Sequence, residues 1–262
     1  MNLSLINKRA IVCGSTNGIG KAIAIELANL GANVTLVARN EEKLIKTLKE
    51  LPQSESQKHE FIKADFSNLY ELKKEVEQYL QKSGEIHILI NNTGGPSAGS
   101  AIDADLESFS SAFSMHLLAN QLLTQSFVPL MKKAGYGRII NIISTSVKEP
   151  IHGLGVSNTI RAAVANWAKT LSWELGPFGI TVNNILPGST ETDRIRNLIT
   201  NRAKNSGKDE LNVEEEMKSE IPLKRFAAPK EIAAAAAFLA SPAASYINGV
   251  NLPVDGGRLN CL

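Results

Sequence analysis

Short apolar runs rich in branched side chains alternate along the chain with longer stretches whose apolar positions recur at helical spacing. Seven of the short runs read as strands: Ala10 to Cys13, Val34 to Ala38, Glu60 to Ala64, His87 to Asn91, Arg138 to Ile143, Thr181 to Leu186 and Val250 to Val254. Between them the spacing predicts helices over Gly18 to Leu30, Glu41 to Leu51, Asn68 to Lys82, Leu106 to Lys133, Val156 to Leu175 and Pro229 to Leu239. Gly31 follows the first helix where a left-handed terminating residue is wanted, and Gly176-Pro177 ends the fifth. This rhythm predicts an α/β fold over residues 1–262, one domain with a doubly wound, seven-stranded parallel sheet and helices on both faces. The exception is Ser189 to Arg225, polar and charged, inserted after the sixth strand. At a strand's C-terminal end such an excursion is expected to form a lid over the ligand crevice, with a plain surface elaboration as the alternative.

Composition adds exclusions. With 262 residues, 43% of them apolar, the chain can bury one generous core. A net charge of +2 gives no reason to expect nucleic acid or an anionic membrane as partner. Cys13 and Cys261 are too differently placed for a stapled secreted fold, so a reducing compartment is expected. The N-terminus lacks a signal-peptide core and the longest apolar run, Ile232 to Ala240, is too short to span a bilayer; a soluble, cytoplasmic protein is expected. No metal site is expected.

Chemistry enters after the first strand, at Gly14-Ser15-Thr16-Asn17-Gly18-Ile19-Gly20. Glycines between a strand and a helix allow a tight turn, admit a pyrophosphate close to the backbone and aim the helix N-terminal amides at its charge. The Gly-x-x-x-Gly-x-Gly spacing is looser than the usual dinucleotide fingerprint, and the glycines could be plain turn formers; their place in a βαβ unit points to a single Rossmann domain. The second strand ends at Ala38-Arg39-Asn40, without the acidic side chain an NAD-specific protein often places on the ribose. Arg39 can pair with a 2′-phosphate and Ser15 can add a hydroxyl, so NADP(H) is favoured, with NAD(H) possible and a solvated Arg39 as the plain alternative.

Asn91-Asn92-Thr93-Gly94, after the fourth strand, is similar to the Asn-Asn-Ala-Gly motif of the short-chain dehydrogenase/reductase family. Asp65-Phe66, Asn141-Ile142-Ile143-Ser144, Pro187-Gly188 with Thr192, and Val254-Asp255-Gly256-Gly257 follow in the family's order, so the resemblance spans roughly residues 5 to 257. The resemblance implies that Asp65 and Phe66 flank the adenine, that Asn92 and Gly94 line the cofactor cleft, and that Pro187, Gly188 and Thr192 surround the nicotinamide. Asn17 and Ile19 join the cradle. Taken singly, Asp65 could cap a turn, Asn92 tie strands and Pro187-Gly188 end one.

Members of that family reduce a carbonyl or oxidise an alcohol with a helix Asn, a Ser, a Tyr and a Lys four residues after it. Ser144 stands where the Ser belongs, but thirteen residues on is Ser157 rather than Tyr, then Arg161 rather than Lys, and His116 takes the place of the Asn. A serine hydroxyl is a poor proton donor beside a phenol of pKa about 10, while arginine, protonated up to about pKa 12, suits holding a ribose. The acid could be His116, His152 or a water held by Ser157 and Arg161. Tyr70 and Lys74 have the right spacing on the wrong helix and read as a decoy. Two functions stay open: an NADP(H)-dependent oxidoreductase on a small-molecule ketone or secondary alcohol, in the style of 3-oxoacyl-thioester reductases, or a nucleotide-binding regulator or scaffold with lapsed catalysis. The resemblance also implies a homotetramer or homodimer through the fourth and fifth helices, using residues such as Leu118, Leu123, Val164 and Trp167.

Overall fold

Burial on both faces is what the apolar runs demand, and the computed structural model, which describes residues 1–261, places them at the centre of one parallel sheet. The strands are β1 (Arg9–Cys13), β2 (Asn33–Ala38), β3 (Glu60–Lys63), β4 (Ile88–Asn91), β5 (Gly137–Ile142), β6 (Ile180–Pro187) and β7 (Asn251–Val254). All pair in parallel in the order β3-β2-β1-β4-β5-β6-β7. The direction of winding therefore reverses between β1 and β4, which opens a crevice above their C-terminal ends.

Helices α1 (Gly18–Asn29), α2 (Glu41–Glu50) and α9 (Pro229–Ala240) cover one face, where Ile23, Leu27, Leu44 and Ile232 join the core. On the other face lie α3 (Leu69–Leu80), α5 (Ala119–Ala134) and α6 (Gly155–Leu175), with Leu72, Phe127 and Ala168 against Ile11, Leu89 and Ile139. Asn17, Asn40 and Asn68 cap α1, α2 and α3 with their side-chain oxygens, and Asp105 does so for α4 (Leu106–Phe113). Among the described residues no helix is long and apolar enough to cross a membrane. Cys13 is buried and unpaired, its thiol pushed up to about 12 by burial, while Cys261 is exposed.

One expectation needs correction, and one segment gains structure. The stretch Leu106 to Lys133 is not one regular helix: a π-helical turn over Ser114–Leu118 separates α4 from α5, and it carries His116. The polar segment 189–225 contains two helices, α7 (Asp193–Ser206) and α8 (Glu210–Ser219), packed around Ile195, Ile199, Val213, Met217 and Phe226. Each helix there buries only a narrow stripe, Ile195-Ile199-Ala203 and Val213-Met217, which a dense population of charges hides in the sequence. Of the residues proposed for self-association, Leu123 and Val164 are buried in the core, whereas Leu118 is exposed and Trp167 half-buried.

The sheet holds a polar line through its apolar interior. Asn91 Nδ2 donates to Asn141 Oδ1, Asn141 Nδ2 to Asn184 Oδ1, and Asn184 Nδ2 to Asn251 Oδ1, each at 2.8 Å. Matching register on β4, β5, β6 and β7 makes this possible, since Asn91, Asn141, Asn184 and Asn251 are successive cross-strand partners. Removing a middle member strands two buried amide groups, each costing roughly 1–3 kcal/mol. Asn141→Ala is therefore expected to lower unfolding free energy by about 2–5 kcal/mol in urea titrations; a loss below about 1 kcal/mol would contradict a cooperative ladder.

Candidate active site

The crevice begins with a backbone contact that permits no side chain. A Cβ on Gly20 would stand 2.2 Å from the Gly14 carbonyl oxygen, and one on Gly14, whose φ is +58°, would stand 2.5 Å from the Asn92 carbonyl oxygen. The helix α1 can thus start directly against β1, leaving the first-turn amides of Ile19 and Gly20 without intrahelical acceptors. Asn17 caps Gly18 N at 2.8 Å through Oδ1 and uses its Nδ2 to bond Asp193, so the glycine loop is tied to the start of α7. The Thr192 methyl lies against Gly18 on the same seam. Asn92 Nδ2 donates to the carbonyls of Cys13 and Gly14 at 3.2 and 3.3 Å, locking β4 to the loop.

At the far end of β2, Arg39 is 80% exposed at its side chain and stands 4.0 Å from Asp65 Oδ2. With Asn40, Lys63 and Glu71 these two line a shallow cavity of about 370 Å³. Asp65 caps the next turn, accepting from Ser67 N at 2.9 Å and Ser67 Oγ at 2.8 Å, and these bonds hold its carboxyl below the usual range. Two expectations fail here. The Ser15 hydroxyl is fully buried with no partner, so it does not reach the surface where a ribose phosphate would sit; Thr16 is the partly exposed hydroxyl of that loop. The Phe66 ring packs in the core beside Ile62 and Leu72 and does not line this cavity.

Toward the other strands the crevice deepens to a cleft of about 410 Å³. Gly14, Asn17, Gly18 and Ile19 form its floor, with Asn92 and Gly94 beside them. Pro187, Gly188 and Thr192 close one flank, and Ser144, Ser157 and Arg161 form the other. Ser144 follows β5 by two residues and accepts from Ser146 N at 3.1 Å, which orients its oxygen and leaves its proton free to donate. Ser157 and Arg161 are one turn apart on α6, hence on one face. The Arg161 guanidinium is buried and donates through Nη1 to the Ile142 carbonyl at 3.2 Å. Burial, with the charge of Arg194, pulls it down to about 10, so it stays cationic at neutral pH. Among the described residues no carboxylate lies within 4.0 Å of it.

His116 is where the structure departs furthest from expectation. Its Nδ1 is 2.6 Å from Thr93 Oγ1, its Nε2 is buried without a partner, and it borders a separate cavity of about 580 Å³ under the loop after Gly95. Burial, followed by the charges of Arg161 and Arg194, drives its pKa down to about 3. The imidazole is therefore neutral at physiological pH and stands outside the cleft that Ser144, Ser157 and Arg161 line. His152 is exposed on the wall of an outer vestibule of about 1060 Å³. Tyr70 is 82% exposed on α3, outside the cleft. Thr93, which joins His116 to the cleft wall, escaped the sequence reading although its departure from the family's alanine was the available signal. Arg194, clasping the Gly95 and Pro96 carbonyls at 3.1 and 2.9 Å, escaped because its segment had no assigned structure.

The family model described as Enoyl-(Acyl carrier protein) reductase matches residues 14–258. The NADPH-dependent reductase BacG of Bacillus subtilis (strain 168) is 31% identical over 256 residues, covering 97% of this chain and 99% of that protein. The 3-oxoacyl-(acyl-carrier-protein) reductase FabG of Chlamydia muridarum (strain MoPn / Nigg) is 34% identical over 257 residues, with 98% and 99% covered. L-Sorbose reductase from Gluconobacter frateurii, solved in complex with NADPH and L-sorbose, superposes with a TM-score of 0.93 at 31% identity over 100% of both chains. A parallel sheet with a glycine-lined crevice at its switch point and likeness of this extent place the molecule among nucleotide-dependent oxidoreductases. The chain belongs to the short-chain dehydrogenase/reductase family.

The buried imidazole has a measurable signature. The unfolded chain takes up a proton at His116 below pH about 6.5 while the native state, with its pKa near 3, does not, so stability falls as pH drops through that window. The loss amounts to roughly 2 kcal/mol by pH 5. His116→Asn is expected to remove that much of the difference between urea unfolding free energies at pH 7.5 and pH 5; equal pH dependence in both proteins would refute a neutral native imidazole.

Proposed function

We propose that the protein is an NADPH-dependent reductase of ketones, running in reverse as a dehydrogenase of secondary alcohols, with 3-oxoacyl thioesters among the candidate substrates. One observation carries the reading: Ser144, Ser157 and Arg161 form one wall of a cleft whose floor is the glycine cradle at the start of α1. The cradle suits a pyrophosphate, because Gly14 and Gly20 leave no space for a side chain where backbone amides are free. Arg39 stands at the end of β2 to pair with a 2′-phosphate, and no carboxylate occupies Ala38 to claim the ribose hydroxyls. The likeness to BacG, an NADPH-dependent reductase, and to the sorbose reductase solved with NADPH supports the same choice. The fold supports treating residues 1–262 as one catalytic domain, with 189–225 as the segment that covers the substrate.

When bound, the reduced nicotinamide supplies a hydride equivalent to the carbonyl carbon. Ser144 donates to the carbonyl oxygen, stabilising the charge that grows there. Arg161 contributes a permanent positive charge one turn behind Ser157 and holds ribose hydroxyls. With the phenol absent and His116 neutral and walled off, the proton for the new alkoxide comes from water in the open cleft, held by Ser157 and polarised by Arg161. That water leaves as hydroxide, neutralised by solvent. Asn92, Pro187, Gly188 and Thr192 shape the pocket around the ring.

The test is oxidation of NADPH in the presence of a panel of ketones and 3-oxoacyl thioesters. Ser144→Ala is expected to lower kcat/KM about 100-fold, in line with loss of one oxyanion donor, while NADPH binding by calorimetry stays unchanged. NADPH binding without turnover of any carbonyl would instead favour a nucleotide-binding regulator or scaffold. Arg39→Ala is expected to weaken NADPH about 10-fold or more, as loss of a charge-assisted bond to phosphate should, and to leave NADH affinity unaltered; equal weakening of both would remove Arg39 from the phosphate site.

A further inference from the structure

We propose that the substrate carries an anionic head group, a carboxylate or a phosphate monoester, and that Arg202 is its receptor. This deepens the reductase reading and rests on it for the identity of the other end of the substrate.

The cleft does not stop at the serine wall. It runs into the outer vestibule of about 1060 Å³, and Thr145, Ile151, Leu198, Arg202, Glu220 and Arg258 line both spaces. Thr145 is next to Ser144, so one continuous wall leads from the hydroxyl that meets the reacting carbonyl to the guanidinium of Arg202. Charged side chains around the two spaces number five cationic, Arg161, Arg194, Arg202, Lys204 and Arg258, against three anionic, Glu149, Asp193 and Glu220.

The pairing within that set leaves Arg202 and Lys204 over, and of the two only Arg202 is half-buried and lines both spaces, Lys204 being exposed on the vestibule alone. Glu220 is taken by Arg258 at 2.9 Å, and the neighbouring Glu216 by Lys208. Asp193 is bonded to Asn17, and Glu149 accepts from Asn260 N at 3.4 Å. Arg194 is committed to the Gly95 and Pro96 carbonyls. Among the described residues Arg202 has no carboxylate within 4.0 Å and its guanidinium donates to no protein acceptor. It is nonetheless half-buried, one turn after Leu198 on the cleft side of α7. A cavity-lining guanidinium with no protein acceptor has its full fork of donors available to a ligand.

Its place also sets it apart from the pyrophosphate cradle. The pyrophosphate cradle meets α7 at Thr192 and Asp193, and Arg202 lies eight residues past Arg194, roughly 12 Å farther along the helix axis. An anion there sits at the substrate's distal end. The planar fork of arginine fits a carboxylate or phosphate through two parallel hydrogen bonds.

Calorimetry with saturating NADP⁺ tests this through matched pairs: 4-oxocyclohexanecarboxylate against its methyl ester, and dihydroxyacetone phosphate against dihydroxyacetone. An anion is expected to bind about 10 to 100 times more tightly than its neutral partner, the range of one charge-assisted contact. The pair showing the preference tells carboxylate from phosphate. Arg202→Met is expected to abolish the preference and Arg202→Lys to keep part of it. Arg196→Met, which removes a charge from the same helix away from both spaces, is expected to keep all of it. Equal affinities within both pairs, or a preference that survives Arg202→Met, would overturn the proposal. Because binding is read without turnover, a protein that prefers anions yet reduces no ketone loses only the reductase reading. One that reduces ketones without preferring the anion loses only the receptor.

Discussion

The molecule turns on a backbone-to-backbone contact at the head of the first helix. Helix α1 can begin directly above β1 only because nothing but hydrogen projects from Gly20 toward the Gly14 carbonyl, and because Asn92 closes on that loop from β4. Move the helix outward by the width of one methyl and three things change together. The free amides no longer converge, the Asn17 link to α7 stretches, and the cleft between β1 and β4 loses its floor. The glycine loop and the start of α7 are thus not separate features; they share one seam.

A second constraint runs at right angles to it. Parallel strands buried on both faces tolerate few polar groups, yet four asparagines cross this sheet in register. Each amide can satisfy the next only while the strands hold one alignment, so the ladder penalises any slip of β4 through β7. Ser144 follows the Asn141 rung by three residues and Pro187 follows the Asn184 rung by the same number. The ladder therefore sets the relative height of the two sides of the cleft.

What could be read from the sequence divides along physical lines. Strands such as Val34 to Ala38 and helices such as Glu41 to Leu51 were legible because periodicity and capping are local. Ser144, Ser157 and Arg161 were legible because they stand at the positions that the family resemblance implies, and the structure brings them to one wall. Burial and long-range charge are not local, and there the reading failed. His116 reads as a titrating imidazole until its enclosure and the two guanidiniums near it are seen, and Ser15 reads as a loop hydroxyl until the loop folds it inward. The ladder needed strand register, and α7 and α8 needed recognition of narrow apolar stripes under heavy charge. Arg202 became meaningful only once Glu216 and Glu220 were seen to be spoken for.

Arginine at position 161 changes what kind of device the site is. A lysine and tyrosine pair is a titrating couple whose charge drifts with the acidity around it, so its power rises and fades together with that drift. The guanidinium beneath Ser157 keeps its proton throughout the physiological range. The positive charge on that wall of the cleft is consequently a constant of the fold rather than a variable of the medium.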